Sequence, residues 1–142
     1  MGRPRYETKA DRSSQDTAIQ YFCRQLGLRY EETGAGAYHD GVLYEKDDKV
    51  PAFVVEYKRR NIPRTKFSTY IISAAKIRNV FETADDLNTI PLLLVEWTDG
   101  LYYHLIEDPS SYDTKEGGRW DRGDAADVEQ MAHISIDSFN KV

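Results

Sequence analysis

The stretch FVVEYKRRN, residues 53–61, runs an apolar segment straight into a charged cluster. Val50 to Val55 have the composition of a buried strand, yet Glu56 and Lys58 follow two residues apart, with Arg59 and Arg60 directly behind. Side chains alternate along a strand, so Ala52, Val54, Glu56 and Lys58 share one face and Phe53, Val55 and Tyr57 the other. A carboxylate and an ammonium at the end of a buried run need a reason. The bland one is a surface ion pair at a strand end. The preceding residues suggest a sharper one.

YHDGVLYE, 38–45, reads as the strand before it, and VPAFVVEYK, 50–58, as its partner across the turn KDDK. If a three-residue loop at Asp47–Lys49 closes this hairpin, opposed residue numbers sum to 96, and Asp40 faces Glu56 at roughly 5 Å. A register one residue different would send Asp40 to the other face. Two carboxylates that close require a shared proton or a cation between them. A hard divalent ion such as magnesium, or manganese in its place, suits an all-oxygen set. With Lys58 one pleat further along, the arrangement suits phosphodiester hydrolysis: an acidified water and a polarised phosphate from the metal, charge stabilisation from the lysine.

The charge distribution agrees. The 142-residue chain carries a net −5, but residues 57–81 hold Lys58, Arg59, Arg60, Arg64, Lys66, Lys76 and Arg78 and no acid. That segment is +7 and the remainder −12. Phosphate binding needs a local cationic face and not a basic protein; a charge run is usually a solvated helix surface, but 25 residues without an acid favour an anionic partner, whose phosphates Arg59, Arg60, Arg64, Lys66 and Lys76 can hold. No apolar run reaches the roughly 18 residues of a membrane helix, so no membrane partner is expected. The N-terminus lacks an apolar signal segment, and one cysteine, Cys23, fits a reducing compartment. A cytoplasmic location is the expectation, with Cys23 as core filler.

Further out, SSQDTAIQYFCRQLG (13–27) reads as a helix ended by Gly27, 28–33 as a short strand and TGAGA (33–37) as a flexible connection. Phe67, Tyr70, Ile71, Ala74, Ile77, Phe81 and Ala84 recur at helical spacing over 66–86. IPLLLVEW (90–97) is a buried strand, Asp99-Gly100 a hairpin turn and LYYHLIE (101–107) its return. Residues 108–130 read as an irregular acidic excursion, and MAHISIDSF (131–139) as a final strand. The order predicts one α/β domain: a mixed sheet with helices packed on it.

Asp40 followed by Glu56-Tyr57-Lys58 at the end of an apolar strand resembles the PD-(D/E)xK, restriction-endonuclease-like nuclease superfamily, and the order helix, three strands, helix, strand is its common core. The layout is most similar to Holliday junction resolvases and small phage or VRR-type nucleases. His39 stands where a proline usually precedes the aspartate. The resemblance implies a Mg2+- or Mn2+-dependent endonuclease on DNA, branched or recombination DNA included. Asp40, Glu56 and the Tyr57 carbonyl would be metal ligands, Lys58 the charge-stabilising residue, and Asp16 a further catalytic carboxylate on the buried face of the first helix, with Gln15 or Glu7 as alternatives. It also implies a homodimer, since small resolvases cut two strands with two sites. The rival expectation is a nuclease-fold accessory factor that binds DNA or protein without catalysis; a weaker one is a DNA-mimicking module with an acidic C-terminal half.

Overall fold

The structure, a computed structural model, describes residues 9–32, 41–46, 49–118 and 128–142. Helix α1 (Lys9–Leu26) ends at Gly27, whose positive φ of 68° is the left-handed conformation that glycine adopts without strain. Strands β1 (Leu28–Glu32), β2 (Gly41–Glu45) and β3 (Pro51–Arg59) form an antiparallel meander. After β3 come β4 (Thr69–Ser73) and helix α2 (Ala74–Asp86). Then β5 (Ile90–Trp97) returns parallel to β3, and β6 (Gly100–Leu105) folds back on β5. β7 (Asp113–Gly118), β8 (Val128–Ser135) and β9 (Asn140–Lys141) complete the chain.

Six strands make the main sheet, in the order β1-β2-β3-β5-β6-β9, with β3 and β5 its parallel pair. That mixed sheet with a helix on each face is the α/β architecture expected. One face carries Leu43, Val55, Tyr57, Leu92 and Leu94 and packs on Ala18, Ile19, Phe22 and Cys23 of α1. The other carries Val54, Leu93, Val95 and Trp97 and packs on Ile77, Val80 and Ala84 of α2. β3 and β5 are buried from both sides, which is why their sequences are continuous apolar runs and not alternating ones.

Two elements depart from the sequence reading. The helix expected over 66–86 begins only at Ala74; a 3-10 turn at Arg64–Lys66 and then β4 precede it. Thr69-Tyr70-Ile71-Ile72 is rich in aromatic and β-branched residues, and it pairs with β8 about sixty residues later. The 108–130 region holds β7, so it is not wholly irregular, and β4-β8-β7 form a second, three-stranded sheet. The connection 33–37, His39, Glu7 and the acidic run Asp121, Asp124, Asp127 lie outside the described residues.

His104 is structural. Its Nδ1 lies 3.0 Å from the Ser138 carbonyl, which can only accept, so the proton sits on Nδ1. Nε2 then accepts from the Tyr112 hydroxyl at 2.7 Å, and that oxygen accepts the Glu107 N–H at 2.8 Å. Both ring nitrogens of His104 and the Tyr112 hydroxyl are thus used within the fold.

Cys23 is 1% exposed, and burial pushes its thiol up to about 11. Burial disfavours the thiolate, so the reactive form is scarce below that pH. At pH 8 iodoacetamide should label native protein at least about a hundredfold more slowly than denatured protein, two pKa units being two decades of thiolate. Equal rates, read by mass spectrometry, would contradict the packing of α1.

Candidate active site

The strand pairs Gly41–Val55, Val42–Val54 and Leu43–Phe53 have the expected register, their numbers summing to 96. An irregularity between Leu43 and Tyr44 sets Tyr44 against Pro51, and Asp47 and Asp48 of the connection lie outside the described residues. A bulge thus corrects the register before the strands reach the site. Asp40, the first carboxylate of the expected pair, lies outside the described residues.

Glu56 sits where the sequence placed it, on the α2 face of β3, 2% exposed. Its Oε1 receives two ammonium groups: Lys58 Nζ at 3.3 Å along the same strand, and Lys76 Nζ at 3.1 Å from the first turn of α2. Neither approach has the alignment of a hydrogen bond, and Oε1 is left without one. Ion-pair distance and hydrogen-bond geometry disagree here. The distances govern the electrostatics, since charge attraction depends weakly on angle, whereas a lone pair without a donor is an unfilled directional demand. The pair with Lys58 was legible as Glu-x-Lys. Lys76, expected on the DNA backbone, pairs with the carboxylate from α2.

A second orphan lies nearby. Tyr70 on β4 is 3% exposed, and its hydroxyl is buried without a partner. Burial raises its pKa, and the Glu56 carboxylate raises it further, which places the two groups in electrostatic reach. The Arg60 guanidinium stacks 4.9 Å over the Tyr70 ring and opposes the shift. A buried carboxylate oxygen and a buried hydroxyl, both unsatisfied, fit a polar guest such as a hydrated divalent ion. Among the described residues no three His, Cys, Asp or Glu side chains converge on such an ion. A complete ligand set therefore draws on backbone, water or Asp40.

Asp16 corrects the sequence reading. It is exposed, while Gln15, Ala18, Ile19, Phe22 and Cys23 form the buried stripe of α1. The phase is one residue off: Gln15, four before Ile19, takes the inward position assigned to Asp16. α1 also covers the Val55–Tyr57 face, opposite Glu56. The Tyr57 side chain turns to that same α1 face and donates to Glu96 Oε1 at 2.6 Å, leaving only its carbonyl for a role beside Glu56.

The basic segment after β3 is held rigidly. Arg60 N–H donates to the Glu96 carbonyl at 2.9 Å, Thr98 N–H to the Ile62 carbonyl at 3.1 Å and Arg64 N–H to Asp99 Oδ1 at 2.9 Å. Arg64 lies 4.8 Å over the Tyr102 ring and reaches the Ile136 carbonyl at 3.4 Å. Arg60 and Arg64 thus have structural contacts as well as charge. Arg59 and Lys66 are exposed.

A buried carboxylate flanked by lysines stands at the end of a central strand, with a cationic segment beside it. The whole chain, residues 1–142, matches the family described as "Phage putative PDDEXK endonuclease", and it belongs to that family. It is a nuclease with a restriction-endonuclease-like fold; nucleases of this class use divalent metals. No curated protein matches it in sequence. Among solved structures it is similar to Hjc of Archaeoglobus fulgidus, a Holliday junction resolvase from an archaeal hyperthermophile. That match has 10% identity and a TM-score of 0.60 and covers 95% of this chain and 93% of Hjc. No helix among the described residues is long and apolar enough to cross a membrane.

The approach to the site is tight. A Cβ on Gly41 would run into the Tyr30 ring and lie 2.8 Å from the Glu31 carbonyl oxygen, so β2 meets β1 closely next to position 40. Gly41→Ala should destabilise the protein by about 1–3 kcal/mol, the usual range for overpacking, as a lower urea midpoint at unchanged slope. An unchanged midpoint would mean that β1 has no close contact there.

Proposed function

We propose that this nuclease is a Mg2+- or Mn2+-dependent endonuclease acting on DNA, branched or recombination DNA in particular, from the host-cell cytoplasm and as a homodimer. The single observation that carries it is Glu56: a buried carboxylate with one oxygen lacking a hydrogen bond, beside two lysines, at the edge of an acid-free cationic segment. The preference for branched substrate draws on the shared fold with a Holliday junction resolvase.

In this reading Asp40, Glu56 and the Tyr57 carbonyl hold the metal. The register of the three described β2–β3 pairs supports Asp40, because the same ladder carried one residue further sets position 40 against 56. When bound, the ion supplies Lewis acidity and an acidified water. Lys58 Nζ stabilises the charge that grows on the phosphoryl oxygens. Arg59 and Lys66 grip flanking phosphates, and Arg60 and Arg64 add charge from more constrained positions. Asp16 is left out of the site because it is exposed on the helix that covers the other face. A dimer would supply the two sites that cutting both strands of a junction needs.

Cleavage of linear duplex, single-stranded and four-way-junction DNA with Mg2+ or Mn2+ tests this directly. Wild type should cut the junction fastest, and Glu56→Gln and Lys58→Met should each lose at least about a hundredfold in rate. A folded wild type that cuts nothing and binds no metal by calorimetry would replace this reading with a non-catalytic nuclease-fold factor that binds DNA or protein.

A further inference from the structure

The chain that leaves Glu56 and Lys58 carries its cations past an aromatic side chain that the core does not use. Phe67 is 59% exposed, more than any other large apolar side chain among the described residues. Tyr70, three residues on, is 3% exposed and packs edge-on against Trp97 and Phe139. The core beside this segment thus takes the tyrosine and leaves the phenylalanine in solvent. A lone exposed aromatic needs no explanation; the backbone and the charges around this one set it apart.

Its exposure is imposed by a pinned backbone. The Lys66 N–H donates to the Pro63 carbonyl at 3.1 Å and the Arg64 N–H to Asp99 Oδ1 at 2.9 Å. Beyond Phe67, the Ile136 N–H donates to the Ser68 carbonyl at 3.0 Å. That bond carries the β4–β8 ladder one residue further, since Thr69 pairs with Ser135. Phe67 is itself extended, with φ −125° and ψ 157°. Strand alternation then sets Phe67 on the side of Ile71, which is 44% exposed, and away from the buried Tyr70 and Ile72.

The surroundings are cationic. Phe67 directly follows the exposed Lys66, inside the acid-free segment 57–81. Arg60 joins this strip to the site. Its guanidinium donates to the Ile71 carbonyl at 3.4 Å and stacks 4.9 Å over the Tyr70 ring, while its N–H holds the Glu96 carbonyl at the end of β5. Cations suit phosphates, and a flat aromatic face suits a base. In an intact duplex the base faces are closed by stacking, so only an unpaired base can meet Phe67.

We propose that Phe67 is a specificity-determining residue that stacks on an unpaired nucleobase of the DNA, with Lys66 on an adjoining phosphate. The proposal rests on the nuclease reading and deepens it, giving a preference for DNA with unpaired bases a residue that reads it.

The test is fluorescence anisotropy without divalent metal, so that nothing is cut. The labelled probes are oligo-dT, an abasic strand of the same length, linear duplex and a forked duplex with unpaired arms. Phe67→Ala should lower the ratios of oligo-dT and fork affinity to duplex affinity about tenfold. Phe67→Leu, which keeps apolar bulk without a ring, should fall with it, and Phe67→Trp should hold the wild-type ratios. On the abasic strand wild type and Phe67→Ala should bind alike. An equal loss on every probe, or no loss on any, would overturn the proposal. So would a change from dimer to monomer in Phe67→Ala by light scattering, which would mean that a second copy covers this face. Wild-type cleavage with Mg2+ separates the two readings. A wild type that cuts DNA keeps the nuclease reading whatever Phe67 does, and one that neither binds nor cuts DNA overturns both.

Discussion

A carboxylate that is 2% exposed in the central strand of a sheet is the constraint around which this protein is arranged. Left alone in a low-dielectric interior, an ionised Glu56 would be too costly to keep, and breaking a buried pair from one side typically costs several kcal/mol. Its neighbours are therefore obliged to bring positive charge. Lys58 does so along the strand and Lys76 from across the sheet face.

The fold makes that arrangement rigid. β3 is flanked by β2 on one side and β5 on the other, and both faces are covered, so Glu56 has little freedom to leave. Chain leaving β3 is stitched to the β5–β6 hairpin by backbone hydrogen bonds, which fixes the cationic segment relative to the carboxylate. β4 then turns that segment into α2 through Ser73. The same hydroxyl donates to Glu129 of β8 at 3.0 Å, so the small sheet holds the helix end that carries Lys76. The aromatic cluster of Tyr70, Trp97, Tyr102 and Phe139, with ring centroids 5.2–5.8 Å apart, ties the small sheet to the large one. Glu56, Lys58 and Lys76 therefore stand on packed strands and a capped helix.

What could be read from sequence was what local periodicity carries. β3, β5 and the β5–β6 hairpin follow from apolar runs and a turn dipeptide, and Glu56 with Lys58 follows from strand alternation. Element order and the site motif together pointed to the correct superfamily. The misses share a cause: partners distant in sequence. Thr69–Ser73 fits a helical stripe by spacing and becomes a strand because β8 is there to pair with it. Lys76 looked like one cation among seven, and only the packing of α2 on β3 shows which anion it meets. For α1 the fault was phase. Asp16 and Gln15 are adjacent and both lie about a turn before Ile19, so spacing from one anchor could not choose; the full stripe of 15, 18, 19, 22 and 23 does. The register at Gly41–Leu43 was as expected, and the irregularity at Leu43/Tyr44 that contributes to it is invisible to strand spacing.

Helix α2 shows how far local stability has yielded to the charge pattern of the site. Its cations, Lys76 and Arg78, lie toward the N-terminus, and its acids, Glu82, Asp85 and Asp86, toward the C-terminus. The macrodipole favours the reverse order, at about 0.3–1 kcal/mol for each charge near an end. A helix selected for its own stability would carry these charges the other way round. What compensates is burial of Ile77, Val80 and Ala84, together with the Ser73 cap. The reversed order sets positive charge beside Glu56 and removes negative charge to the far end. The same separation holds at the scale of the chain, +7 over residues 57–81 against −12 elsewhere. An acidic chain can thus keep a strongly cationic local face, since the field near a surface follows the local and not the net charge.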